Sequence, residues 1–532
     1  MARQETVSGD RARGGSMPRG GQALALTTLC TLLFLTFLDN TVVAVALGDI
    51  QVSLKANVSD LQWVVGAYAL TFASIMLACG IIGDELGRKK VMLAGVGVFC
   101  AGSVLCALAP NVGTVIAGRA VMGLGAAASE PGTLSMLRHL YPDARARNRA
   151  VGVWAATSGF ALAAGPVVGG VLTGVWNWRG IFWFNLVFGL AALIVAAVIL
   201  PESADPTAAR VDIAGTFLGA GALATFVFAI IDAESAGFGA ADVIVLLCVS
   251  AALVAAFARQ EYRSLNPLLD LRYLRVPQFT TANITAFCTY FATFAIFFFT
   301  ALYLEEVVGD TGYQIALTFL PMTALMIGSS LLAGRWTAAA GPRWSIFIGC
   351  LLFGAGLLLT TLTLSQSPAY TPLAAALALT GIGIGTTVVP ITSAALSAVP
   401  PQRSGMAASA TNTSREIGAV TGVAVLGALV NAQLRSSLTS RLQHLGIPAN
   451  FQSIVIHAVE TGTVPPNGHG KGAGGAAAAG QGTLVNEVIH AAYSAFYAGL
   501  HAALYLSAIL VLAAGLFAFV LLRRGRRSAT SG

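Results

Sequence analysis

Five charged side chains lie within long apolar stretches of the sequence. They are Asp39, Arg119, Glu130, Arg415 and Glu416. A charged side chain inside a membrane is costly, so these residues are candidates for function. Burial favours the neutral form of a carboxyl group, whereas a nearby arginine favours the charged form. The chemistry that these residue types can perform is therefore reversible proton binding, tied to the opening and closing of an ion pair.

Asp39 and Arg119 are expected to lie at similar depths in a membrane. Asp39 is about 16 residues beyond the start of an outward-running helix, hence about 24 Å along it. Arg119 is about seven residues into a helix that runs the other way, about 10 Å below the outer surface. The two side chains meet if the first and fourth helices are neighbours. Asp39 is then either a proton site or a structural hydrogen-bonding group.

The other three charged residues leave two roles open. Glu130 follows Arg119 by eleven residues, on the same helix face and about 16 Å nearer the cytoplasm. It is either a second site for a proton or cation, or a hydrated residue close to the surface. Arg415 and Glu416 point about 100° apart on a helix, so each is expected to pair with another helix. They serve structural pairing or contact a substrate.

Aromatic residues are concentrated in one apolar stretch, the ninth. Phe294 and Phe298 are candidates for lining an apolar substrate cavity. Lipid-facing packing is the role expected for most of the run, which comprises Phe291, Phe294, Phe297, Phe298, Phe299 and Tyr303.

The elements that must position these residues are membrane-spanning helices. Hydrophobic residues make up 56% of the 532 residues and charged residues only 10%, with a mean hydropathy of +0.77. A span needs about 20 apolar residues to cross about 30 Å of hydrocarbon. Fourteen such runs occur, at 23–47, 61–82, 91–109, 112–135, 149–173, 180–200, 213–232, 242–258, 279–304, 313–333, 344–364, 370–397, 405–430 and 496–522.

The distribution of charge predicts orientation. With the N-terminus inside, most of the 30 lysines and arginines fall in cytoplasmic segments, as membrane proteins require. Both termini are therefore predicted to be cytoplasmic. The basic residues form short runs between apolar stretches, which indicates membrane orientation and not nucleic-acid binding.

Several classes of activity lack their sequence patterns. The sequence has no GxxxxGK[ST] loop for ATP, no metal-ligand spacing and no cluster of nucleophile and base. We expect a transporter and not an enzyme, with no cofactor and no metal. The expected partners are protons, a small organic substrate and the lipid bilayer.

A glycine-rich motif, GIIGDELGRKK at 80–90, separates the second and third runs. It resembles the loop motif of the major facilitator superfamily at Gly80, Asp84, Gly87 and Arg88, although Glu85 stands where that family usually has arginine. Residues of the fifth run resemble the superfamily's antiporter motif, at Gly165, Pro166, Gly169 and Gly170. Proline beside glycines makes a bendable helical segment, so both motifs are predicted to serve conformational change.

A narrower resemblance, to the fourteen-helix drug:proton antiporters, extends over nearly the whole chain. It rests on Leu38, Asp39 and Thr41 in the first run, WNWRGIFWFN at 176–185, NPLLDLRYLR at 266–275 and TNTSREIG at 411–418. Ala44 and Gly48 depart from that pattern, which usually has asparagine and proline there. The resemblance implies proton-coupled efflux of amphipathic or cationic organic compounds by alternating access. The coupling candidates are Asp39, Arg119 and Glu130, although the family usually has an apolar residue in place of Glu130.

The same resemblance implies an all-α major facilitator fold of two six-helix halves with two extra central helices. We expect a cytoplasmic tail at 1–22, an N-terminal half at 23–200, a two-helix insert at 201–275, a C-terminal half at 276–522 and a basic tail at 523–532. The C-terminal half includes a long outer loop at 431–495. A monomer in the plasma (inner) membrane is expected. The alternatives are a dedicated exporter of one endogenous metabolite, or a channel or scaffold without transport.

Overall fold

The computed structural model describes residues 19–141, 143–203, 212–264, 267–365, 368–400, 404–444, 452 and 482–529. Within these ranges the chain is helical and contains no β-strand. Thirteen helices are long and apolar enough to cross a membrane, and one bent helix counted as a single span makes fourteen. The predicted all-α fold with fourteen spans is confirmed.

Fifteen α-helices have both ends within the described residues, and we number them in chain order. They are α1 Arg19–Val42, α2 Leu47–Leu54, α3 Val58–Leu86, α4 Arg88–Ala107, α5 Val112–Leu140, α6 Ala144–Val175, α7 Arg179–Ile199, α8 Ile213–Ala236, α9 Ala241–Arg263, α10 Pro277–Tyr303, α11 Gly312–Ala340, α12 Pro342–Thr363, α13 Tyr370–Ser397, α14 Ser404–His444 and α15 Gly482–Ala529.

Two helix pairs join the first seven helices to the last six. α3 packs along α14, and α6 packs along α11. The extra helices α8 and α9 pack on each other, and α8 also contacts both α3 and α14. The insert therefore lies beside one of the two main contacts between the halves. The division of the chain at 200 and 275 stays a prediction.

The first span is interrupted near its C-terminal end, where a 3-10 turn, Val43–Ala46, separates α1 from α2. The neighbouring α6 bends by 41° close to Leu162. Pro166 explains the bend, because proline has no N–H for the carbonyl four residues earlier and its ring clashes with it. That carbonyl belongs to Leu162, and the Thr41 hydroxyl donates to it at 2.9 Å. The break in the first span and the bend in α6 therefore support each other.

The segment predicted as an outer loop, 431–495, is helical at both ends. α14 continues to His444, and α15 begins at Gly482. Leucines spaced by four residues form one face of the extension and pack against Ala491 and Ala495; they are Leu434, Leu438 and Leu442. Polar residues between these leucines ended the apolar run, although their spacing is typical of an amphipathic helix. The Gly/Ala tract at 470–482, expected to be flexible, lies almost wholly outside the described residues.

Helices also extend into both predicted tails. α1 begins at Arg19, within the segment assigned to the N-terminal tail, and α15 continues to Ala529, within the basic tail. Arginine is a good helix former, so charge ends a hydrophobic run without ending the helix.

Candidate functional site

Asp39 and Arg119 form an ion pair inside the first half. The Arg119 Nη1 atom donates to Asp39 Oδ2, and both side chains are fully buried. Asp39 projects from α1 and Arg119 from α5, which contact each other. The sequence predicted similar depths for these residues, and the contact between α1 and α5 brings them together. The role of Asp39 as a proton site stays a prediction.

Helix α3 holds Arg119 in place. The Arg119 Nε atom donates to the Val64 carbonyl at 2.9 Å, and its guanidinium carbon lies 4.4 Å from the centre of the Tyr68 ring. The Tyr68 hydroxyl in turn donates to the Thr36 carbonyl of α1 at 3.0 Å. Arg119 therefore keeps two of its contacts even if Asp39 becomes neutral.

Asn185 is a member of this cluster that was not singled out from the sequence. Its Nδ2 atom donates to Asp39 Oδ1 at 2.6 Å, from α7. Asn185 is fully buried, and it is the last residue of the WNWRGIFWFN segment. The sequence signal for its role was a polar amide at the end of an apolar, aromatic segment.

A second polar cluster lies between the two halves. Glu130, on α5, accepts a hydrogen bond from the Asn412 amide on α14. The side-chain oxygen of Asn412, Oδ1, accepts from Arg415 Nη1 at 2.9 Å, and Arg415 Nη2 donates to Thr392 Oγ1 at 2.7 Å. Glu130 is only 1% exposed. The alternative of a hydrated surface residue is therefore wrong.

Glu416 belongs to the same cluster but is joined to α1. Asn40 Nδ2 donates to Glu416 Oε1 at 3.1 Å, from the residue next to Asp39. Arg415 and Glu416 pair with different helices, as expected from their angle. The Arg415 guanidinium also lies 5.3 Å from the centre of the Tyr290 ring on α10.

Polar atoms in this second cluster lack protein partners. Among the described residues no hydrogen bond reaches Glu130 Oε2, Glu416 Oε2, Arg415 Nε, Asn40 Oδ1 or the Tyr290 hydroxyl. Buried polar atoms normally have partners, so a group of such atoms in one place calls for a bound molecule or a change of state.

The aromatic run lies inside the protein. Phe294 is 3% exposed and Phe298 is 1% exposed, and the other members of the run are no more than 4% exposed. The prediction that most of the run faces lipid is wrong, because α10 is surrounded by α13, α14 and α15. Phe294 and Phe298 remain candidates for lining a substrate cavity between the halves.

The loop motif connects the ends of three helices that are predicted to face the cytoplasm. Asp84 pairs with Arg88 at 2.6 Å, and Arg88 donates through Nη1 to Ser203 Oγ at 3.0 Å. Gly87, which joins α3 to α4, has a φ of 113°, a conformation that favours glycine. The motif therefore fastens α3 and α4 to the segment after α7.

The glycines of the antiporter motif allow backbones to approach closely. A Cβ atom on Gly169 would lie 2.5 Å from the carbonyl oxygen of Val42 in α1. A Cβ atom on Gly165 would also clash with α1, at Thr41. Gly170 faces the other half, where a Cβ atom would lie 2.2 Å from the Gly312 carbonyl oxygen of α11. The motif thus joins α6 to both halves.

Comparison with known families agrees with this geometry. The profile of the Major Facilitator Superfamily matches residues 29–423. The chain belongs to the major facilitator superfamily. Since this superfamily consists of membrane transporters, the predicted class, a transporter and not an enzyme, is confirmed.

Relatives within the superfamily are named for resistance. The multidrug resistance protein Stp of Mycobacterium tuberculosis (strain CDC 1551 / Oshkosh) is 33% identical over 448 residues, which cover 84% of this chain and 83% of Stp. The methylenomycin A resistance protein of Streptomyces coelicolor is 33% identical over 432 residues, covering 80% of this chain and 90% of that protein. These names agree with the predicted drug:proton antiporter family.

A solved structure supports the fold alone. It is a bacterial homologue of the human lysosomal transporter Spinster in an inward-facing, unoccupied conformation. The TM-score is 0.63 at 16% identity, and the match covers 96% of this chain and 98% of that chain.

Proposed function

We propose that this transporter exports amphipathic or cationic organic compounds across the plasma membrane in exchange for protons. The observation that carries the proposal is the fully buried pair of Asp39 and Arg119. An ionisable pair enclosed in a membrane protein is costly and marks proton or ion pathways by default. Resistance proteins at 33% identity indicate small organic compounds as the substrates.

The position of Asp39 suggests how a proton affects the helices. Asp39 lies three residues before Val42, where α1 ends and meets the glycines of α6. A proton on Asp39 removes the ionic part of its bond to Arg119 while Asn185 stays within reach. The packing of α1 on α6 therefore responds to the charge of a single residue.

Alternating access requires that the halves separate on one side at a time. Gly170 and Gly312 form a close contact towards the outer ends of α6 and α11. A Cβ atom on Gly80 would lie 3.6 Å from Ser409 Oγ, towards the cytoplasmic ends of α3 and α14. We infer that these two contacts open in turn during export.

Transport in proteoliposomes tests the proposal. Efflux of a fluorescent lipophilic cation is driven by an imposed pH gradient and compared between wild type and Asp39→Asn, with Asp242→Asn as control. Asp242 is an exposed acid at the start of the peripheral helix α9. We expect gradient-driven efflux to be lost in Asp39→Asn with substrate binding retained. Equal efflux in all three proteins rules out coupling through Asp39.

A dedicated exporter of one compound is the second candidate. The relative named for methylenomycin A, a single antibiotic, favours it. A panel of unrelated cations and neutral antibiotics separates the two candidates. Export of several unrelated cations supports the broad specificity, whereas export of one compound alone supports the dedicated exporter.

We further propose a monomer with both termini in the cytoplasm.

A further inference from the structure

Each half of the transporter supplies one carboxylate to the polar cluster between them. Glu130 comes from α5 and Glu416 from α14. Asn412, which donates to Glu130, and Glu416 are four residues apart, so they lie on one face of α14 about one turn from each other. The two carboxylates are therefore neighbours across the contact between halves, close enough to interact electrostatically.

The charges of this cluster do not balance. It has two acids and one cation, Arg415, whose hydrogen bonds go to the neutral groups Asn412, Thr392 and the Val388 carbonyl. A buried charge without compensation is unfavourable. One additional positive charge, carried by a proton or by a bound cation, makes the cluster neutral.

The surrounding titratable groups do not alter this count. Tyr290 faces the cluster from α10 and Tyr68 from α3, and tyrosine is neutral at physiological pH. The pair of Asp39 and Arg119 lies beyond Asn40 and is neutral as a unit. The additional positive charge must therefore bind at Glu130 and Glu416.

The cluster also has the groups that a cationic ligand needs. Glu130 Oε2 and Glu416 Oε2 have no partner among the described residues, and each side chain is 1% exposed. A cavity of about 10 Å³ adjoins Glu130 together with Trp154 and Met76, which is room for about one water. An aromatic ring and a thioether suit an aromatic cation. Gly80 and Ser409 close this region at the contact between α3 and α14.

We propose that Glu130 and Glu416 form a binding site for one organic monocation, for which the cation and a single proton compete. The inference rests on the proposed export function and specifies the charge of its substrates. The site becomes large enough for the cation when α3 and α14 separate beside Gly80. A monocation then displaces the proton that balances the second carboxylate.

Binding of ethidium and propidium to the purified full chain tests this site. The two dyes share one aromatic ring system but carry one and two positive charges. We expect ethidium to bind more tightly to the wild type and to release about one proton in weakly buffered solution. Glu130→Gln and Glu416→Gln should each weaken ethidium binding at least about tenfold and abolish the proton release. Asp242→Asn is the control for loss of an acid elsewhere.

Arg415 provides a test in the opposite direction. Arg415→Gln leaves two carboxylates without a cation, so the preference for propidium over ethidium should rise about tenfold. Arg415→Lys keeps the charge and should keep the preference of the wild type. An Arg415→Gln protein that still prefers ethidium by the original ratio contradicts the charge count.

The aspartate variants distinguish loss of the carboxylate from loss of folding. Glu130→Asp and Glu416→Asp keep the charge, and we expect them to release a proton on binding ethidium. Proton release that persists in both glutamine variants overturns the site, as does its absence from a wild type that transports ethidium. The proposed function is tested separately, because it requires that Asp39→Asn lose gradient-driven efflux. The site at Glu130 and Glu416 requires that the same variant still release a proton on binding ethidium.

Discussion

Amide side chains accompany the three acids of the two polar clusters. The pairs are Asn185 with Asp39, Asn40 with Glu416, and Asn412 with Glu130. An amide has a donor and an acceptor, so it can stay bonded to a carboxyl group that gains a proton. A lysine in the same place would favour only the charged acid. At the scale of residues, these pairs permit a change of protonation without a change of partner.

Asn185→Ala should weaken the first cluster. The substitution removes the donor to Asp39 Oδ1 and leaves a buried carboxylate oxygen without a partner, which costs about 1–3 kcal/mol. We expect a lower melting temperature in detergent and slower proton-driven efflux. Ser507→Ala is the control, because this buried hydroxyl only bonds the backbone of its own helix. An Asn185→Ala protein with the stability and efflux of the wild type contradicts the role given to the amide.

The amides also show where prediction from sequence ends. A charge within an apolar run is conspicuous, and helix rise alone placed Asp39 and Arg119 at similar depths in the membrane. Asn185 and Asn412 carry no charge, and their partners depend on how each helix is rotated, which no run length determines. The burial of most phenylalanines of α10 was not predicted for a related reason, since an apolar side chain suits lipid and protein interior equally.

At the scale of helices, the first span depends on contacts with its neighbours. Thr41 supplies the donor that Pro166 cannot, at the Leu162 carbonyl. Beyond the break, the Gly48 N–H donates to Glu305 Oε2 at 3.1 Å. Glu305 lies in the π-helical turn that follows α10, Leu304–Val308. The sequence showed only that Gly48 replaces the usual proline, which has no N–H to donate.

Thr41→Val should destabilise the meeting point of α1 and α6. Valine keeps the shape but loses the hydroxyl, so the Leu162 carbonyl is left buried without its donor, at a cost of about 1–3 kcal/mol. Unfolding of the purified protein measures this effect. Thr360→Val is the matched control, since the hydroxyl of this buried threonine bonds the Gly356 carbonyl within α12. Equal losses in both variants are incompatible with a special role for Thr41.

Gly48→Ala should loosen the contact between α2 and the π-helical turn that follows α10. A Cβ atom on Gly48 would lie 2.2 Å from Glu305 Cδ, so the flexible glutamate must move and release its hydrogen bond. We expect labelling of a cysteine at the buried Ala46 by an impermeant reagent to rise about fivefold, the effect of about 1 kcal/mol. Gly97→Ala is the control, because no atom lies within 4 Å of its added Cβ. Unchanged labelling counts against a closing role for Glu305.

At the scale of the whole molecule, the two halves meet in close contacts that leave little or no room for additional side-chain atoms. The apolar runs alone predicted the number of spans and the all-α fold. They did not predict that α8 would lie beside α3 and α14, because lipid-facing and protein-facing helices have similar compositions. They also missed the outer extension of α14, where the period of the leucines and not total hydropathy carried the signal.

Gly170→Ala should bias the transporter towards an outward-open state. An added Cβ atom would lie 2.2 Å from the Gly312 carbonyl oxygen, and a backbone atom cannot move aside as a flexible side chain can. We expect greater labelling of outer positions near Gly312 and slower export. Gly152→Ala, in the same helix with nothing within 4 Å, should behave as the wild type. Export at the normal rate by Gly170→Ala contradicts a tight outer closure.

The extension of α14 has a mechanical consequence. Its 41 residues measure about 60 Å at 1.5 Å per residue, twice the thickness of the hydrocarbon core. Its C-terminal part packs against α15, so we expect the two helices to project together from the membrane surface. A tilt of about 10° within the bilayer displaces a tip about 20 Å above it by several ångströms. We therefore expect a binder of the hairpin tip to restrain the motion of the C-terminal half.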